Sequence, residues 1–169
     1  PTPTPTPTPT VVSIFEDFNS SGGTIKLSKA RHTVSGNWDN VTLEARLRTQ
    51  NSFGEAWVGW GNVGLAFTTQ GFNITRIKTG DSYTSIPQSI SPSDWHVYKI
   101  VRTPSQLRLY VDGISRNSPI YRPLGEWTSG SIVLGDTCPY QVSCTAYMEI
   151  DWLKITESDN SDLTPTPTP

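Results

Sequence analysis

In the run Val41-Thr42-Leu43-Glu44-Ala45-Arg46-Leu47-Arg48, apolar and polar residues alternate without a break. A period of two sorts side chains onto the two faces of a strand, so Leu43, Ala45 and Leu47 share one face and Glu44, Arg46 and Arg48 the other. Similar runs cover Ile25 to Leu27, Ala56 to Trp60, Val63 to Thr68, Phe72 to Lys78, His96 to Arg102, Gln106 to Val111, Ser131 to Leu134 and Tyr147 to Thr156. Clusters of Gly, Pro, Asn and Asp separate them. No window keeps a 3.6-residue stripe for three turns. About a dozen short strands in one domain predict an all-β, two-sheet antiparallel sandwich, and Asp112-Gly113 after Leu109-Tyr110-Val111 marks a hairpin.

The alternation stops at both ends. Residues 1–10 alternate Pro and Thr and residues 164–169 repeat the pattern, taking eight of the 14 prolines. Every second residue there lacks an amide donor, so these segments are expected to be extended polyproline-II-like linkers, 1–10 and 163–169, around one domain at 11–162. Such Thr-rich, Pro-rich stretches are O-glycosylation candidates, here Thr2, Thr4, Thr6, Thr8, Thr10, Thr164, Thr166 and Thr168. A linker at each end, and a first residue that is not Met, suggest an internal piece of a longer modular or repetitive protein.

A formal net charge of −2 with mixed signs offers no basic face to a phosphate backbone, which argues against nucleic acid. No apolar run is long enough to span a bilayer as a helix. Cys138 and Cys144 bracket a turn-rich stretch and suit a local disulfide worth roughly 2 kcal/mol, hence an oxidising, extracellular compartment. Asn40-Val41-Thr42 and Asn73-Ile74-Thr75 are N-glycosylation sequons. His32 and His96, the two histidines, show no catalytic spacing.

Three landmarks carry a family resemblance. Trp95-His96-Val97-Tyr98-Lys99-Ile100 followed by Leu107-Arg108-Leu109-Tyr110-Val111-Asp112-Gly113 resembles the paired strands of laminin G-like domains and family 16 glycoside hydrolases. Phe15-Glu16-Asp17-Phe18-Asn19 is similar to the opening strand of bacterial glucanases, and Ile150-Asp151-Trp152-Leu153-Lys154-Ile155 to their closing strand. The resemblance implies a concanavalin A-like jelly roll. It also implies a structural Ca²⁺ held by the carbonyls of Asp17 and Gly23 and by the carbonyl and carboxylate of Asp151. Strict alternation would place Asp151 on the core face with Leu153 and Ile155, where a carboxylate needs a partner or an ion. Capping of a nearby turn through backbone amides is the alternative.

The family's catalytic strand reads Glu-Ile-Asp-Ile-Glu. The matching segment here is Asn62-Val63-Gly64-Leu65-Ala66-Phe67, whose outward positions Asn62, Gly64 and Ala66 cannot protonate a glycosidic oxygen or attack an anomeric carbon. With no other catalytic constellation, the expectation is a non-catalytic, lectin-like module. Its ligand, a polysaccharide or glycan, would lie over Gly64 and Ala66, edged by Arg46, Arg48, Trp57, Trp60, Asn62 and Arg76. Trp57 and Trp60 are three apart, so at most one of them lines that groove. The alternatives are a structural bead in a glycosylated fibre that contacts neighbouring copies of itself, and a divergent glycoside hydrolase or lyase.

Overall fold

The computed structural model describes residues 13–18, 23–28, 30–50, 55–60, 63–68, 74–79, 82–85, 90–116, 120–121, 130–136 and 147–157. The Pro-Thr runs with their threonines, Asn62, Asn73, Cys138 and Cys144 lie outside the described residues, as do the exact limits of the domain. Each alternating segment contributes a strand among the described residues. In chain order they are β1 (Ser13–Asp17), β2 (Ile25–Ser28), β3 (Arg31–Val34), β4 (Val41–Gln50), β5 (Glu55–Trp60), β6 (Val63–Thr68) and β7 (Ile74–Thr79). There follow β8 (Ser82–Ser85), β9 (His96–Arg102), β10 (Gln106–Val111), β11 (Ile114–Ser115), β12 (Ile120–Tyr121), β13 (Ile132–Asp136) and β14 (Tyr147–Glu157). Among the described residues there is no helix, and so none long and apolar enough to cross a membrane.

The strands form two antiparallel sheets. An eight-stranded sheet runs β1-β14-β4-β9-β10-β11, with β2 also pairing β14 and β12 also pairing β10. A six-stranded sheet runs β3-β13-β5-β6-β7-β8. First and last strands therefore lie side by side, Phe15 opposite Lys154 and Asp17 opposite Trp152. The Asp-Gly hairpin forms as expected: Val111 pairs with Ile114, and the two loop residues take positive φ, 52° at Asp112 and 78° at Gly113.

Both sheets turn their apolar faces inward. Leu43, Ala45 and Leu47 of β4, Tyr98 and Ile100 of β9, and Leu107, Leu109 and Val111 of β10 meet Val58 and Trp60 of β5, Val63, Leu65 and Phe67 of β6, and Leu134 of β13. Phe67 and Tyr98 touch edge to face across the sandwich with centroids 5.1 Å apart, the arrangement the ring quadrupoles favour. Each large side chain so buried contributes about 1.5–3 kcal/mol against conformational entropy.

One cation is enclosed in this core. Arg102, at the end of β9, is fully buried, with its guanidinium carbon 5.3 Å from the Trp60 ring centre. It donates to the Trp38 carbonyl at 3.2 Å and lies 3.7 Å from Asp39. Burial pushes its pKa down and Asp39 acts the other way. Trp38 itself packs over Gly36, where an added Cβ would come within 2.4 Å of the indole nitrogen. The buried guanidinium therefore ties the turn before β4 to the end of the core.

Candidate functional site

The structure divides the expected ligand residues between the two sheets. Trp57, Trp60 and Arg76 belong to the six-stranded sheet, Arg46 and Arg48 to the eight-stranded one, so they do not share a groove. Trp60 is a core residue with no exposed surface, which corrects its assignment to the ligand face. Trp57 points to the opposite side of β5, as the three-residue spacing requires.

On the outer face of the six-stranded sheet, β5 pairs with β6 so that Gly59 stands opposite Gly64 and Trp57 opposite Ala66, with Arg76 of β7 next to Ala66. A Cβ built on Gly59 or Gly64 would come within 2.9 or 3.0 Å of the Trp57 ring. The Cζ2 edge of the indole thus reaches over the glycine pair. Only 7% of Trp57 is exposed, and Ala66 is fully buried. This corrects the expected groove: the surface above Gly64 is filled by an indole and offers no open floor.

The second departure is at Asp151. Along β14 the register against β4 pairs Ile150 with Leu47 and then Trp152 with Arg46, leaving Asp151 as the extra residue of a β-bulge. The bulge reverses the parity of the strand: Met148 and Ile150 face the core before it, Leu153 and Ile155 after it. Strict alternation cannot anticipate an inserted residue, so the expectation that Asp151 faces inward is overturned. Its carboxylate instead accepts a hydrogen bond from Arg46 Nη1 on the outer face.

One strand pairing further on, Glu149 stands opposite Arg48 and accepts from its Nε. Both guanidinium carbons lie 4.9 Å from the centre of the Trp95 ring, just before β9. Lys26 of β2, opposite Glu149, holds its ammonium 3.7 Å from the Tyr147 ring centre. The carboxylates are largely buried, with side chains 10% and 14% exposed, whereas those of Arg46 and Arg48 are 41% and 34% exposed. Four charges of opposite sign thus stand in two fixed pairs beside a partly exposed indole. Such an array presents oriented N–H donors and carboxylate acceptors to hydroxyl groups, and an aromatic face to a ring.

Of the residues in this array, alternation along the chain points to Arg46 and Arg48 but not to Trp95 or Glu149. In the sequence Trp95 stands out only as the start of a paired-strand segment. Glu149 carries a local signal, an outward acidic residue of the last strand, but its partner becomes evident only when β14 pairs with β4.

Of the residues expected to hold calcium, Asp151 already has protein partners. The Asp151 carboxylate is held by Arg46, and its carbonyl accepts the Phe18 amide at 3.0 Å. Gly23 is exposed, and among the described residues no three His, Cys, Asp or Glu side chains form a metal-holding group.

The two sheets and their order define an all-β jelly-roll sandwich. No family model matches the chain, and no significant match appears among curated proteins. Among solved structures it is similar to the Crh5 transglycosylase, with a TM-score of 0.63 and 11% identity over 87% of this chain and 84% of that one. It is also similar to a β-glucanase of Bacillus licheniformis, with a TM-score of 0.61 and 12% identity over 83% and 81% of the two chains. The galectin LEC-6 of Caenorhabditis elegans gives 0.51 and 6% over 79% and 95%. At such identities the likeness is one of fold.

Proposed function

We propose that this chain is a non-catalytic carbohydrate-binding module of an extracellular modular protein, and that it binds glycan on the outer face of the eight-stranded sheet. The observation that carries this reading is the Trp95 ring flanked by two guanidiniums, each already paired with a carboxylate. Prepaired charges do not reorganise when a ligand arrives, and their remaining donors and lone pairs suit hydroxyl groups. The similar structures include a transglycosylase in complex with NAG, a β-glucanase and a galectin, which supports a sugar as ligand.

A binding rather than a hydrolytic role is supported by β6. Two of the three positions matching catalytic carboxylates, Gly64 and Ala66, lie among the described residues, and the Trp57 ring reaches over the former. Glu149 and Asp151 are each engaged by an arginine. The extracellular setting rests on the Pro-Thr runs and the cysteine pair of the sequence.

Calorimetric titration with a panel of neutral and acidic oligosaccharides tests this. Binding is expected to weaken at least about tenfold in Trp95→Ala, a loss of about 1.4 kcal/mol. No binding at millimolar sugar would refute the ligand class, and release of reducing ends would refute the non-catalytic part.

A further inference from the structure

The outer face of the eight-stranded sheet carries a second aromatic feature that the array around Trp95 does not use. Phe15 is 61% exposed, the larger value of the two exposed large hydrophobics among the described residues. Its ring centre lies 6.4 Å from that of Trp152, with the planes inclined at 38°. Trp152 is half-buried and stands between Asp17 of β1 and Arg46 of β4 in the pairing register. Arg46 in turn reaches the Trp95 ring. Phe15, Trp152, the Arg46–Asp151 pair and Trp95 therefore succeed one another from β1 across β14 and β4 to the start of β9.

This line runs across the strands rather than along one of them. Three strand spacings separate β1 from β9, roughly 14 Å, which no single sugar ring spans and a short run of linked sugars does. At the Phe15 end the line reaches the terminal strand of the sheet order and so leaves the sheet at its edge. An open edge lets a chain continue past the site, whereas a site for a terminal sugar needs a closed end. Three ion pairs stand along the line, Arg46 with Asp151, Arg48 with Glu149, and Lys99 with Glu44 at 3.3 Å, while Lys154, opposite Phe15 on the same face, is exposed. An anionic sugar would have to compete with carboxylates already bound to the paired cations, and an uncharged one would not.

Resting on the proposed glycan reading, we infer that this face binds an internal run of an uncharged linear polysaccharide laid across the strands, with Phe15 and Trp152 as the far platform and Trp95 as the near one.

The test is titration of the intact chain with neutral β-linked gluco-, manno- and xylo-oligosaccharides of two, four and six units, and with oligogalacturonate. Affinity for at least one neutral series is expected to rise about tenfold or more from two to four units. Phe15→Ala, a change at an exposed side chain, should remove that increment, whereas Trp95→Ala should weaken binding at every length. An increment that survives Phe15→Ala, or affinity that does not depend on length, overturns the cross-strand track while the glycan reading stands. Preference for oligogalacturonate overturns the uncharged class. Failure of every oligosaccharide to bind overturns the glycan reading and the track together. Circular dichroism of each variant distinguishes lost contact from lost fold.

Discussion

Asp112 shows how much one side chain can organise. Its backbone sits at φ 52° in the hairpin loop, where a short polar side chain is tolerated better than most, and its amide donates to the Val97 carbonyl at 2.9 Å. The carboxylate accepts the Val97 amide at 2.9 Å on one oxygen and meets His96 Nδ1 at 2.7 Å on the other. His96 Nε2 reaches the Ser91 carbonyl at 3.2 Å, tying the turn before β9 to the hairpin. Burial alone would raise the Asp112 pKa, but the Val97 amide, His96 and Arg116 outweigh it and the net shift is downward. A carboxyl held below its unfolded value stabilises the fold fully above about pH 4, and that contribution is lost as pH falls through the lowered value. Thermal unfolding between pH 7 and 2.5 should therefore fall less steeply in Asp112→Asn than in the parent, and parallel curves would remove Asp112 from the acid response. Gly64 matters for the opposite reason, since it has no side chain. A Cβ there would lie 2.3 Å from the Val58 carbonyl and 3.0 Å from the Trp57 ring. Gly64→Ala should cost about 1–3 kcal/mol in urea unfolding, by overpacking, with a changed near-ultraviolet signal from the displaced indole.

At the scale of the element, β14 is the strand on which the eight-stranded sheet depends. It pairs with β1, β2 and β4, and its bulge at Asp151 lets one strand serve the core on both sides of a parity change. The extra residue also brings a carboxylate out of the core register to Arg46, so the irregularity that bends the strand builds half of the proposed binding array. Arg46→Met would keep the stem of the side chain but leave Asp151, with its side chain only 10% exposed, without the guanidinium. We expect a loss of about 1–2 kcal/mol, smaller than for a fully buried pair because Arg46 reaches solvent, and recovery of most of it in Arg46→Met with Asp151→Asn. Additive losses in that double-mutant cycle would show that the pair does not couple.

For the whole molecule, the adjacency of first and last strands raises the question of what joins the chain ends. The resemblance to glucanases implies calcium, whereas the structure supplies a protein answer: the β1–β14 ladder, the Phe18 amide on the Asp151 carbonyl, and Glu16 of β1 reaching His32 of β3 in the other sheet at 2.7 Å. The melting temperature should accordingly stay within about 1 °C on adding EDTA or millimolar Ca²⁺. A rise of several degrees with calcium would reveal an ion bound to the folded state only.

Alternation along the chain is enough to find the longer strands, the residues that face the core within each regular one, the Asp-Gly hairpin and the sandwich class, whereas β3, β8, β11 and β12 carry no such run. Each feature so found follows from side-chain parity or from a local backbone preference, and neither needs a distant residue. Parity also determines that Trp57 and Trp60 face opposite ways, because three steps along a strand reverse direction. Which of the two enters the core between the sheets, and which sheet holds β4, depends on pairing between strands far apart in the chain. That Arg48 meets Glu149 across 101 residues and Arg46 meets Asp151 across 105 follows from strand pairing alone, since register is a property of two strands together. The bulge at Asp151 arises from the same pairing. The strand's sequence is compatible with either parity, and the core it must fill on both sides of that residue selects the one observed.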